Sequence, residues 1–149
     1  MRTIINIVVL VGALTLAASA QSISGCKLSA NPYAADSTSN PYGRCGSPYS
    51  SDSINNPYGR YGSPYSPYSA TNPYATEAPT ITANDGTYLG RYSANPYAPD
   101  STSNPYGAHG SPFAPHSINN PYSTYGSPYS SQSPNNPYAL AGPALSDGN

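Results

Sequence analysis

The sequence predicts a turn-rich repeat protein of irregular, low-complexity composition, wound as a short-coil solenoid or ribbon with one β-hairpin at about residues 79–93. The alternative is an intrinsically disordered chain. Three observations carry this reading: an Asn-Pro-Tyr triplet at a fixed period, a scarcity of aliphatic residues beyond residue 17, and a single Asp-Gly turn between β-formers.

The opening segment comes first. Residues 1–20, MRTIINIVVLVGALTLAASA, place one Arg before an apolar run from Ile4 to Ala18. Ala18-Ser19-Ala20 then fits the small-x-small pattern of a secretory cleavage site, so the segment reads as a signal peptide cut after Ala20. The run is shorter than the ~20 residues a spanning helix needs. A rival reading takes Ile23-Ser24-Gly25-Cys26, similar to a bacterial lipobox, and makes Cys26 an acylated terminus. Gln21 and Ser22 separate that motif from the apolar run, which favours the first reading. The expected location is secreted, periplasmic or cell-envelope, with a lipoprotein as the alternative and no membrane span after processing. Cys26 and Cys45 are the only cysteines. In an exported chain they are a candidate disulfide, with two free thiols as the alternative. Neither has the spacing of a metal or redox site.

The mature part is built on a sixteen-residue unit present six times, in residues 31–46, 47–62, 63–78, 95–110, 111–126 and 127–142. Each carries Asn-Pro-Tyr at its tenth to twelfth slots: Asn40-Pro41-Tyr42, Asn56-Pro57-Tyr58, Asn72-Pro73-Tyr74, Asn104-Pro105-Tyr106, Asn120-Pro121-Tyr122 and Asn136-Pro137-Tyr138. Slots one to three repeat the theme as [NS]-P-[YF], slot seven is always Ser, slot nine is small and polar, and slot sixteen is Gly except at Ala78. Asn bonds its own backbone two residues on, Pro presets φ near −65°, and Gly suits the fourth corner, so N-P-Y-G is a turn. With two prolines per unit, helices and central strands are excluded, leaving turns joined by short extended pieces.

Three units and a connector make a larger module. Residues 29–75 match residues 93–139 at 34 of 47 positions, a shift of 64. The domains are therefore a first triple-repeat block (21–78), a β-hairpin connector (79–94), a second block (95–142) and a tail (143–149). The connector places Thr80-Ile81-Thr82 and Thr87-Tyr88-Leu89 either side of Asp85-Gly86, a strong hairpin signal. Gly25-Cys26-Lys27-Leu28-Ser29 matches the second hairpin strand, and residues 143–149 resemble the first. Half a hairpin thus lies at each end, and these halves either pair or mark plain truncation of the array, the simpler reading.

Leu, Ile, Val and Phe number 18, and nine of them precede Ala17. Nine scattered side chains, at about 1.5–3 kcal/mol each when buried, make no conventional core. The expected substitute is the set of 16 tyrosines, placed in phase by the turns so that rings stack in rows.

Charge excludes some functions. The chain has five basic and six acidic residues, and the mature part keeps Lys27, Arg44, Arg60 and Arg91. Four scattered cations give no footprint for nucleic acid. Near-neutrality favours self-association. His109 shares the fifteenth slot with Cys45, Tyr61, Glu77, Tyr125 and Ala141, and His116 shares the sixth with Asp36, Asp52, Tyr68, Asp100 and Gln132. Slots of such variety are expected to face solvent, without a metal. The acids form no paired site, and there is no G-x-S-x-G elbow or phosphate loop. No catalytic, cofactor-binding or metal-ligating residue is expected.

The run Asp85-Gly86-Thr87-Tyr88-Leu89-Gly90-Arg91-Tyr92-Ser93-Ala94-Asn95-Pro96-Tyr97 and its continuation to Gly107 resemble a repeat found in uncharacterised exported bacterial proteins. The resemblance covers nearly all of the mature chain. It implies a bacterial, secreted or envelope setting and carries no known activity. Cys26, Cys45, His109 and His116 depart from it, since those slots usually hold Gly, Tyr or acidic residues there. The expected function is an exported, non-enzymatic structural or interaction protein presenting repeated Tyr, Asn and Ser surfaces. The alternative is a glycan- or cell-wall-binding module, and self-association or an envelope glycan is the expected partnership.

Overall fold

Ser or Asn near every third residue sets the local geometry. The computed structural model describes residues 21–148; the expected signal peptide and its cleavage after Ala20 lie outside the described residues. In the second unit, the amides of Ser50, Ser53, Asn56 and Gly59 each donate to the carbonyl three residues before, at 3.1–3.4 Å. The last residue of each turn is the first of the next. A four-residue turn, Ser63 N–H to Gly59 C=O at 3.0 Å, completes the unit. Turns expected to be joined by extended pieces instead share their corners.

A side chain reinforces each corner. Ser47, Ser50 and Ser53 Oγ accept the N–H of Tyr49, Asp52 and Asn55 at 3.2, 3.3 and 3.0 Å, and Asn56 Oδ1 accepts that of Tyr58 at 3.0 Å. Only a short side chain bearing an oxygen reaches its own backbone two residues on, and slots one, seven and ten are Ser or Asn in every unit, while slot four is Ser in three units and Ala in the other three. Pro fits the position after the corner because it presets φ and has no N–H to satisfy.

The Pro and the aromatic residue that follow the corners at slots one and ten point outward, which corrects the expected role of tyrosine. Eleven tyrosines and Phe113, at slots three and twelve, are 88–96% exposed. They do not replace a core. Slots seven, eight and sixteen turn inward instead. Ser37, Ser53, Ser69, Ser101, Ser117 and Ser133 are all wholly buried. A buried hydroxyl needs partners, and Ser37, Ser69 and Ser101 donate to carbonyls of Ser29, Tyr61 and Ser93 at 3.1–3.2 Å. Within each block slot nine ties a unit to its predecessor: Asn55 Nδ2 donates to the Thr38 and Gly46 carbonyls at 2.8 and 3.0 Å, and Asn119 and Asn135 make the same pair of bonds in the fifth and sixth units.

Three strands form the centre: β1 (Thr80–Thr82), β2 (Tyr88–Arg91) and β3 (Ala144–Ser146), in the antiparallel order β2-β1-β3. The hairpin joining β1 and β2 uses a three-residue loop, with Ala83 N–H to Thr87 C=O at 2.8 Å, Gly86 N–H to Ala83 C=O at 2.9 Å and Gly86 at φ 89°. Residues opposite Ile81 number two, Leu89 and Gly90, so β2 is bulged. Gly90 sits at φ 95°, and a Cβ there would come within 2.6 Å of His109 Cβ.

The sheet is pseudosymmetric. Ile81 pairs with Leu145, the residue 64 positions later, and Thr80 and Thr82 pair with Ser146 and Ala144, so a local twofold axis passes between β1 and β3. On the far side of β3, Leu28 N–H donates to Pro143 C=O at 2.9 Å and Leu145 N–H to Cys26 C=O at 2.8 Å. These mirror Tyr92 N–H to Pro79 C=O, at 2.8 Å, on the other side of the axis. The two half-hairpins therefore pair within the chain.

Scarce aliphatics suffice because they converge. Ile23, Leu28, Ile54, Ile81, Leu89, Ile118 and Leu145 all belong to one buried cluster with Tyr61, Tyr125, Cys26 and Cys45. The disordered alternative is overturned for a physical reason: side-chain oxygens and amides hold the backbone of each turn, so the small core has only to join preformed turns.

Candidate functional site

The invariant triplet divides its labour. The six asparagines use both ends of the amide. Oδ1 of Asn40, Asn56, Asn72, Asn104, Asn120 and Asn136 accepts the Tyr N–H two residues on at 3.0 Å in every unit. Nδ2 reaches six residues back to the slot-four carbonyl at 2.9–3.1 Å. Asp lacks the donor and Ser lacks the reach. Pro41, Pro57, Pro73, Pro105, Pro121 and Pro137 are exposed beside their tyrosines. The outer surface is thus twelve Pro-aromatic corners on a hydrogen-bonded scaffold.

Slot six is not simply solvent-facing, as its variety suggested. It answers the cations. Lys27 pairs with Asp36 at 3.4 Å, Arg44 with Asp52 at 2.9 Å and Arg91 with Asp100 at 3.1 Å. Arg60 lies over the Tyr68 ring, 3.6 Å from its centroid. All four cations of the described residues are therefore matched by slot six, three of them by an Asp.

Slot fifteen is a second correction: in four of the six units its side chain meets a non-repeated segment, each time with a different partner. Cys45 forms a disulfide with Cys26, with 5.5 Å between Cα atoms. Tyr61 is buried, its hydroxyl donating to Asp147 and standing 3.0 Å from the Gln21 carbonyl. Burial first, and the Asp147 carboxylate second, push its phenol well above the usual range. Tyr125 donates to Asp85 at 2.7 Å, and that bond holds the Asp85 carboxyl below its ordinary value. His109 takes the place of Cys45 in the second block, where Gly90 replaces Cys26, and packs edge-on to Tyr88 with centroids 5.3 Å apart. Its Nδ1 is buried without a partner. His116, in slot six, lies 5.9 Å from the Tyr125 ring. Variety in slot fifteen reflects variety of neighbours.

Among the described residues no three His, Cys, Asp or Glu side chains gather as a metal site would require, and no helix is long and apolar enough to cross a membrane. The disulfide is consistent with an oxidising extracytoplasmic location.

Two of the clefts between the blocks are lined by the outer rings. One, of about 680 Å³, is lined by Tyr74 and Tyr97 with Arg91, Asn95, Thr76 and Asp100. Its pseudosymmetric counterpart, of about 360 Å³, is lined by Tyr138, Tyr33 and Asn31 with two prolines. Sequence reading missed both. The available signal was slot one, which is Asn only at Asn31 and Asn95, the first unit of each block, and Ser in the other four units. Compared with models of known families, with curated proteins and with solved structures, the chain matches none.

Proposed function

We propose that this is an exported, non-enzymatic interaction protein whose working part is its outer array of Pro-Tyr corners. The observation that supports it is the separation of labour. Ser and Asn hold the fold, a small core joins the blocks, and the twelve rings at slots three and twelve take part in neither. Rings that the fold does not need are free to meet a partner, and repetition turns weak contacts into avidity when several engage at once. Three of the four cations among the described residues are ion-paired and charge is sparse, which favours contact through rings over steering by charge. The disulfide and the resemblance to exported repeat proteins support a secreted, periplasmic or envelope setting.

The test compares the mature chain with a variant in which all twelve slot-three and slot-twelve rings become Ser. Binding to bacterial cell envelopes and to immobilised copies of the chain is measured beside thermal melting. Association by the wild-type chain that the variant loses, with melting unchanged, is the expected result. Association retained by the variant, or none by the wild type on either surface, overturns the reading.

A further inference from the structure

The clefts at the block junctions differ in a way that the fold does not require. Asn95 Oδ1 closes its turn on Tyr97 N–H at 2.9 Å, as Ser does at this slot in other units. Its Nδ2 makes no hydrogen bond among the described residues, so an amide donor surplus to the turn lines the larger cleft. Asp100 contributes an acceptor: Arg91 Nε and Tyr88 OH both bond its Oδ2, at 3.1 and 3.2 Å, and its Oδ1 has no partner among the described residues. The Arg91–Asp100 pair leaves the floor without net charge. Tyr74 and Tyr97, from units on either side of the junction, supply apolar faces.

We propose that the Tyr74–Tyr97 cleft binds a neutral saccharide. A sugar ring has an apolar C–H face, which packs on a phenol or proline ring, and an edge of hydroxyls, which act as donor and acceptor at once. The cleft matches that duality with two tyrosines, the Asp100 acceptor and the Asn95 donor, and its volume falls within the ~300–1,000 Å³ of small-molecule sites. A charged ligand would find no net opposite charge. This rests on the reading of the outer rings as an interaction surface and assigns one place on it a ligand class.

The counterpart cleft explains which site is better formed. Leu140 stands where the first cleft has Thr76, and Lys27 where it has Arg91, with Lys27 Nζ bonded to the Leu140 carbonyl at 3.2 Å. The bulkier apolar residue accompanies a cleft of about half the volume. One stronger site per chain follows.

The test is calorimetric titration of the mature chain with cellohexaose, chitohexaose and mannohexaose, with a ten-residue polyproline peptide as comparison. Saturable binding of at least one saccharide is expected. Asn95→Ser, which installs the slot-one residue of four other units, is expected to weaken it about tenfold, and Thr76→Leu to abolish it. Asn31→Ser leaves it unchanged. The proposal is overturned if none of the three saccharides binds, if Asn95→Ser and Thr76→Leu bind as the wild type does, or if only the polyproline peptide binds. Envelope binding or self-association by a wild-type chain that binds no saccharide sinks the cleft alone, and Thr76→Leu, which keeps all twelve outer rings, is expected to retain that association while losing the saccharide. Saccharide binding by a wild-type chain that shows no ring-dependent association sinks the broader reading instead.

Discussion

Asn56 Nδ2 donates to the carbonyl of Ser50, six residues back, at 3.0 Å, while the same amide accepts from Tyr58 N–H. One side chain therefore locks its own turn and the turn two before it. Asn56→Asp removes the donor and keeps the acceptor; Asn56→Ser keeps a turn and loses the reach. Each is expected to cost about 1–2 kcal/mol, read as a fall in Tm of roughly 3–8 °C. Tyr58→Ala, at an exposed ring, is expected to stay within about 0.5 kcal/mol of the wild type. A Tyr58→Ala loss as large as that of Asn56→Asp refutes this division of labour.

At Gly62, slot sixteen of the second unit, Gly is needed for space. A Cβ on Gly62 would overlap the carbonyl of Asn56 and approach that of Ile54 at 2.7 Å, both backbone atoms that cannot swing aside. Gly62→Ala is expected to cost on the order of 3 kcal/mol or more. Gly86→Ala in the hairpin loop meets nothing within 4 Å and is strained only by its φ of 89°, so about 1–2 kcal/mol is expected. Chemical denaturation of the two variants gives the comparison.

The disulfide closes a loop between residues 19 apart in sequence. Reduction, or the Cys26→Ser/Cys45→Ser double variant, is expected to lower stability by about 3 kcal/mol. Amide exchange should then quicken around residues 26–45, while the Tyr88–Arg91 strand, whose equivalent contact is the non-covalent Gly90–His109 packing, keeps its protection.

High pH is expected to weaken the fold through Tyr61. Its folded-state phenol titrates well above the ordinary value near pH 10. The contribution is complete below about pH 10 and is lost as pH rises from there toward the raised folded value, because the unfolded chain ionises first. Tyr61→Phe is expected to be less stable at pH 7, with the gap to the wild type narrowing above pH 10. A constant gap across denaturation curves at both pH values contradicts this. Tyr88 and Tyr92, also raised chiefly by burial, act in the same direction.

Deleting residues 143–149 removes β3 and leaves β1 with an unpaired edge. Bared edges recruit other strands. Lower Tm and larger, concentration-dependent species in sedimentation are expected; an unchanged size distribution and Tm refute a structural role for the tail.

Much of this was legible in the sequence, because a turn is a local object. The sixteen-residue period, the 64-residue duplication, the Asn-Pro corners and the Asp-Gly hairpin all depend on residues a few positions apart, so spacing alone determined them. What spacing does not encode is direction. Whether Tyr42 or Ser37 faces inward depends on how a turn chain coils against its neighbours, and hydrophobicity ranks those two side chains the wrong way round. Ser37 is buried because its hydroxyl finds a carbonyl inside, and Tyr42 is exposed because the corner aims it out. Slot fifteen was misread for a related reason, since its partners Asp147, Asp85 and Cys26 come from outside the repeat. Only the tertiary structure decided that Ile81 and Leu145 meet across an axis, that the tail completes the sheet, and that two junction clefts form. Each of those is a contact between segments far apart in the chain, formed by burying the few aliphatic side chains together.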